Sequence, residues 1–213
     1  MDALSCFQAS AATPSTGTVR QGLMRTVDRA ELERALPPGC VLVEPRVLRR
    51  VIKRDRRVPG LGLDVPHGSS YVVARAALVE AATAEELGGR TAADLPDPVV
   101  LLPRPDADDG RGDAELLREL WRRAFHASVH AALEARTASG DLPAAAIRER
   151  IHRLGRAEFD EVRLVLRQER RLYAGRDERE AWIEFAATFL ELRAFEPELV
   201  PRVFPVLVDE AAV

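Results

Sequence analysis

Two histidines stand four residues apart in the segment His126-Ala127-Ser128-Val129-His130, and Glu134 follows one helical turn later. Side chains at positions i and i+4 of an α-helix lie on the same face, so this spacing brings two imidazoles together. Two neutral imidazoles and a carboxylate can hold zinc or another divalent transition metal. The spacing therefore predicts His126, His130 and Glu134 as candidate metal ligands.

A zinc-protease motif is absent from this segment. In the HExxH pattern the residue after the first histidine is the general-base glutamate, and here that residue is Ala127. A further candidate ligand is His152, which ends the segment Glu149-Arg150-Ile151-His152. Di-iron bundles use two such Glu-x-x-His segments, and this chain has one, so His152 is kept only as an added ligand. The chemistry left open is a metal-binding helical protein or a metal-dependent hydrolase centred on His126 and His130.

A second candidate site is a run of basic residues between positions 46 and 57. Seven basic side chains face one acid, Asp55, in this run. The basic residues are Arg46, Arg49, Arg50, Lys53, Arg54, Arg56 and Arg57. On a helix, Val47, Leu48, Val51 and Ile52 would form the buried side and the basic residues much of the remainder. This pattern predicts a surface that contacts phosphates or carboxylates.

Three kinds of partner fit such a helix. The first is internal, because the segment 177–213 holds nine acids against three arginines and could neutralise it. The second is an acidic surface on another protein, and the third is the nucleic-acid backbone. Aromatic residues are not interleaved with the basic ones, which disfavours base stacking on single strands. The sequence favours a protein partner and leaves nucleic acid open.

The elements that must position these residues are mostly helices. Short apolar runs at 41–43, 70–74 and 99–102 predict strands, and helices are expected over about 29–36, 45–54 and 75–88. A long helix is expected over 113–139, ended by Gly140, and three more helices over about 143–154, 156–173 and 178–195. The prolines at 197, 201 and 205 argue against regular helix beyond that point.

These elements predict an α+β, predominantly α-helical fold. It comprises a small N-terminal unit with a few short strands and a C-terminal bundle of about four helices. The predicted organisation is a flexible arm at 1–27 and a small basic α/β unit at 28–103. A linker or long loop at 104–112 and a helical bundle with a proline-rich tail at 113–213 follow.

Helical periodicity also assigns faces. On the long helix an apolar stripe that includes Leu120, Ala124 and Phe125 lies on one side, and His126 and His130 fall opposite it. The two histidines therefore face solvent unless another element covers them, and the N-terminal unit or the 149–152 helix is the expected cover. The helix at 178–195 is apolar almost all round, so Glu184 and Glu191 are expected to be exposed or to face a polar partner.

The composition of the chain argues against a membrane-spanning or secreted protein. The chain has 213 residues, 46% of them apolar and 31% charged, with a net charge of −3. It contains no apolar run long enough to span a membrane and no recognisable secretory leader. The strong excess of arginine over the single lysine is typical of a GC-rich bacterial genome. We therefore expect a non-catalytic binding or adaptor module of a bacterial cytoplasmic protein, without a cofactor unless the histidine pair binds metal.

Overall fold

The computed structural model describes residues 29–55, 70–105, 112–172 and 177–207. This part of the chain contains eight α-helices and a small three-stranded sheet, which confirms the predicted α+β, predominantly helical fold. The helices are α1 (Arg29–Ala35), α2 (Pro45–Asp55), α3 (Arg75–Ala81), α4 (Asp113–Ser139), α5 (Ala144–Leu154), α6 (Arg156–Gln168), α7 (Glu178–Phe195) and α8 (Val200–Val203). The strands are β1 (Cys40–Val43), β2 (Tyr71–Val73) and β3 (Val99–Pro103).

The sheet is a buried layer between two groups of helices. Strand β3 is central, parallel to β1 with Cys40 opposite Val100, and antiparallel to β2 with Tyr71 opposite Leu101. One face packs on α2 and α3 through Val41, Val43, Val99 and Leu101. The other face packs on α1 and α4 through Cys40, Leu42, Val100 and Leu102. Coverage of both faces explains why β1 and β3 are apolar at consecutive positions.

Helix α4 is buried on two sides. Its residues Leu120, Ala124 and Ala127 pack into the core beneath the sheet. Phe125 and Val129 pack against α7 instead. The sequence predicted a single apolar stripe on this helix, and that prediction is incomplete because small and apolar residues such as Ala127 continue the buried surface around it. The predicted domain boundary at 104–112 stays a prediction.

The bundle core is built around α7. Its residues Phe185 and Phe189 are fully buried against Phe159 of α6 and neighbouring apolar residues of α5. At the start of the helix, the Asp177 carboxylate accepts a hydrogen bond from the Glu180 N–H (2.7 Å), and the Glu180 carboxylate accepts one from the Asp177 N–H. This capping box fixes the first turn of α7, as the predicted start at Asp177 requires.

Three element boundaries differ from the sequence prediction. The helix expected over 75–88 ends at Ala81, because Thr83 and Glu86 exchange hydrogen bonds and form a separate turn. Helix α6 ends at Gln168 rather than near 173, a position outside the described residues. Beyond Pro197 the chain forms a 3-10 turn and then α8, because proline is compatible with the first turn of a helix, where its missing N–H has no acceptor.

Within the described ranges, no helix is long and apolar enough to cross a bilayer.

The C-terminal segment docks on the bundle through Phe204, which is fully buried with its ring edge-on to Phe185 at 5.2 Å between centroids. We expect Phe204→Ala to lower the free energy of unfolding by about 3–5 kcal/mol, because it leaves a cavity in a closed core. Urea denaturation measures this loss. Leu164→Ala, at a side chain 54% exposed, is the matched control and should change stability by less than about 0.5 kcal/mol. Equal stabilities of the two variants would show that the segment is not part of the core.

Burial also predicts the reactivity of Cys40, the first residue of β1. Desolvation raises the pKa of its thiol to about 12, so that the thiolate, the reactive form, is scarce in the folded protein. In a Cys6→Ser variant, which leaves Cys40 as the single cysteine, we expect very slow modification by a disulfide reagent at neutral pH. Unfolding in urea should make the reaction rapid. Fast modification of the folded variant would contradict the burial of β1.

Candidate functional site

The predicted basic run lies on α2, on the outside of the sheet layer. Val47, Leu48 and Val51 are buried against the sheet, which confirms the predicted apolar side of the helix. The basic side chains that the structure describes line one shallow groove on the opposite side. They are Arg46, Arg49, Arg50, Lys53 and Arg54. The last two predicted members, Arg56 and Arg57, lie outside the described residues.

Two arginines of α2 form ion pairs within the N-terminal part of the chain. The Arg50 guanidinium contacts the Glu86 carboxylate and donates a second hydrogen bond to the Ala81 carbonyl (2.8 Å). Its hydrogen bond is the main reason why the pKa of Glu86 is lowered, and the Thr83 N–H adds to the effect. Arg54 pairs with Glu80 at 3.5 Å. The described acids that neutralise α2 therefore come from α3 and the turn after it, not from the C-terminal segment that the sequence suggested.

The histidine pair lies between α4 and α7. The rings of His126 and His130 lie with their centroids 4.9 Å apart and their planes tilted by 44°, and the two side chains are 15% and 22% exposed. The expected cover from the N-terminal unit or the 149–152 helix is wrong. Helix α7 covers the pair instead, because α4 is also apolar on its α7-facing side.

Glu184 is the α7 residue that faces both imidazoles. Its Oε2 lies 2.9 Å from His130 Nε2, and its Oε1 lies 3.5 Å from His126 Nε2. Thr188, one turn later on α7, donates a longer hydrogen bond to Oε1 (3.4 Å). The ligand-forming atoms of the two histidines and Glu184 all lie within 4.8 Å of one another. Two ring nitrogens and one carboxylate thus converge on a single small volume.

Glu191, two turns after Glu184, lies on the other side of His126. Its side chain is 4% exposed, and its Oε2 is 2.8 Å from His126 Nδ1, a close contact whose angle is poor for a hydrogen bond. Arg171 Nη1 donates to the same oxygen at 3.2 Å, and Arg122 Nε lies 3.2 Å from Oε1. Arg122 also reaches Glu196 at 2.9 Å. A connected network of acids, guanidinium groups and imidazoles therefore joins α4, α7 and the turn that follows α6.

The charges in this network act on the two buried carboxyl groups. Burial by itself would raise the pKa of Glu184, but the hydrogen bond of His130 and the charges of His126 and Arg171 outweigh it. The pKa of Glu191 is lowered in the same way, because the effect of burial is outweighed by His126, Arg171 and Arg122. Both carboxyl groups are therefore held in their charged form inside a largely closed interface.

Two of the predicted metal ligands are not part of this cluster. Glu134 and His152 are both exposed, and the structure brings neither of them to His126 and His130. Glu134 lies one turn beyond His130, past the part of α4 that Glu184 covers. Glu184 and Glu191 were not among the predicted metal ligands. The signal for them in the sequence was that two acids interrupt an apolar helix, and their polar partners are the histidine pair together with Arg122 and Arg171.

The buried carboxylate of Glu191 supplies a stability prediction. Glu191→Ala removes the shared partner of Arg122 and Arg171, and we expect the free energy of unfolding at neutral pH to fall by about 2–4 kcal/mol. Because the pKa of Glu191 is lowered on folding, its contribution exists above the unfolded pKa of about 4.3 and is lost as the pH falls through the folded value. The difference between variant and wild type should therefore shrink as the pH is lowered below about 4.3.

Glu161→Ala is the matched control for this measurement, because Glu161 is an exposed glutamate on α6. Its effect in urea denaturation should stay within about 0.5 kcal/mol at each pH. A Glu191→Ala effect no larger than that of the control, or one that is unchanged in acid, would mean that the buried network does not stabilise the α4–α7 interface.

Comparisons with known proteins offer no activity to carry over to this chain. Neither the protein-family models, nor the curated proteins, nor the solved structures compared with it gave a match. Its function must be argued from the chemistry of the basic groove on α2 and of the histidine–carboxylate cluster between α4 and α7.

Proposed function

We propose that this chain is a non-catalytic binding or adaptor module of a bacterial cytoplasmic protein, which docks an acidic surface of a partner protein through α2. The observation that carries the proposal is the groove lined by five basic side chains. Arg50 and Arg54 are partly neutralised by Glu86 and Glu80. Arg46, Arg49 and Lys53 have no acid within ion-pair distance among the described residues. They supply the positive charge for a partner.

The rigidity of α2 supports a docking role. Its buried side is anchored by Val47, Leu48 and Val51, each at most 2% exposed, so that the basic side chains project from a fixed backbone. A helix of this length presents its side chains over about 16 Å. Preorganised charge of this kind loses less conformational entropy on binding than charge on a mobile loop.

Carboxylates are the ligands that fit this helix best. Arg50 and Arg54 already contact carboxylates of the same chain, and guanidinium groups match the planar carboxylate geometry. The chain as a whole carries a net charge of −3, which weakens long-range attraction to a nucleic acid. A short acidic patch on a protein can meet the groove without approaching the acidic remainder of the molecule.

The test compares binding of a labelled oligoglutamate peptide with binding of a labelled duplex oligonucleotide, by fluorescence anisotropy at about 50 mM and about 200 mM salt. We expect the full chain to bind oligoglutamate, and the triple variant Arg46→Ala, Arg49→Ala, Lys53→Ala to bind it roughly tenfold more weakly. Three solvent-screened contacts of about 0.5 kcal/mol each give that factor. Binding should weaken with salt in the wild type more than in the variant.

The control is a triple variant with the same change in net charge, Arg153→Ala, Arg167→Ala, Arg202→Ala, at exposed arginines of the helical part. It should bind oligoglutamate as the wild type does. Equal weakening by both triple variants would assign the effect to net charge and contradict a site on α2. Tighter binding of the duplex than of oligoglutamate would indicate that α2 contacts a nucleic-acid backbone instead of an acidic protein. If neither probe binds, the proposal is wrong.

A further inference from the structure

We propose that His126, His130 and Glu184 form a binding site for one divalent transition-metal ion, with zinc the ion that best fits the donors. The ligands are His126 Nε2, His130 Nε2 and one carboxylate oxygen of Glu184. The site lies between α4 and α7, away from the basic groove of α2, and it does not depend on the docking function proposed above.

The distances between the donor atoms suit one ion. Zinc bonds of about 2.0–2.1 Å in tetrahedral geometry place neighbouring ligand atoms roughly 3.4 Å apart. The Glu184 oxygens lie 2.9 Å from His130 Nε2 and 3.5 Å from His126 Nε2. The full donor set spans no more than 4.8 Å, so small side-chain adjustments can bring the three ligand atoms to the distances that one ion requires.

Glu191 completes the pattern that metal-bound histidines show in proteins. A histidine that ligates through one ring nitrogen donates its other N–H to a carboxylate or carbonyl group, which fixes the tautomer and the ring orientation. His126 directs Nε2 toward Glu184 and Nδ1 toward Glu191 Oε2, at 2.8 Å. Arg122 and Arg171 hold the Glu191 carboxylate in place.

The arginines of the network make their direct contacts with Glu191, and among the described residues no guanidinium group is in direct contact with Glu184. Arg122 and Arg171 both contact Glu191 directly. Glu184 contacts two imidazoles and the Thr188 hydroxyl among the described residues, and a buried carboxylate without a cation is costly. A bound metal ion supplies a positive charge with both imidazoles neutral, as ligation requires.

Partial exposure makes the site accessible to an ion. The side chains of His126, His130 and Glu184 are 15%, 22% and 14% exposed, so that solvent reaches the cluster from one side. Three protein ligands leave a fourth tetrahedral position, which a water molecule from that side can fill. Glu134 and His152 are not required, since the carboxylate from α7 takes the place that the sequence gave to Glu134.

The experiment uses the full chain, expressed without a histidine tag and stripped of metal by a chelator. Isothermal titration with Zn²⁺ should show one site, and Co²⁺ should give the visible absorption of a tetrahedral complex. We expect His126→Ala and His130→Ala each to weaken zinc binding at least a hundredfold. Glu191→Gln should weaken it about ten- to a hundredfold, as loss of a carboxylate partner to a ligating histidine does.

Glu134→Ala and His152→Ala are the matched controls and should bind zinc as the wild type does. Circular dichroism in the absence of metal checks that each variant folds, and the milder changes His126→Gln and His130→Gln replace either alanine variant that does not. Zinc should raise the Tm of the wild type and of both controls by similar amounts, and that of the His126, His130 and Glu191 variants by less. Wild-type affinity no higher than that of His126→Ala, or binding lost in either control, would overturn the site.

Discussion

The burial of α4 on two sides is the constraint on which the rest of the structure depends. One side of this helix closes the core beneath the sheet through Leu120 and Ala124, and another packs on α7 through Phe125 and Val129. Trp121 adds a hydrogen bond from its indole N–H to the Ala35 carbonyl at the end of α1 (2.8 Å). A single helix therefore links the α/β part to the bundle, and some of its polar residues, including His126 and His130, lie between α4 and α7.

This constraint explains why a polar network lies inside the interface. Helix α4 has 27 residues and its ends are exposed to solvent, so the helix carries polar as well as apolar residues. The positions of α4 that face α7 alternate along the helix between apolar residues and Arg122, His126 and His130. Glu184 and Glu191 of α7 face these residues, so each buried carboxylate lies opposite a cationic or hydrogen-bonding partner. Matching of this kind fixes the register of the two helices, since a shift by one turn would leave charges unpaired.

The two candidate sites differ in what the fold does to their charges. On α2 the side chains point into solvent, where salt screens them and individual pairs contribute little. That environment suits reversible contact with a partner. Between α4 and α7 the same kinds of side chain are largely shielded from solvent, where electrostatic interactions are stronger and an uncompensated charge is expensive. That environment suits a fixed ligand such as a metal ion, or a permanent ion-pair network.

Local patterns in the sequence were sufficient for the elements and for the faces of single helices. Gly140 ends α4 in the left-handed conformation, Asp177 begins α7 with its carboxylate, and the period of Val47, Leu48 and Val51 divides α2 into a buried and a basic side. Each of these depends on residues within one or two turns. The pairing of Thr83 with Glu86, which ends α3 early, is also local, but it competes with a helical continuation of similar propensity.

Only the tertiary structure decided what lies against His126 and His130. Their spacing placed them together on one face of α4, but periodicity describes a single helix and carries no information about its neighbour. Glu184 is 54 residues from His130 along the chain and reaches it because α7 packs beside α4. Glu134, the carboxylate nearest in sequence, stays in solvent because it lies beyond that contact. The ion pairs of α2 also depend on tertiary packing. Glu80 and Glu86 lie beside α2 because α3 packs against it, and the acidic C-terminal segment takes no part in these pairs.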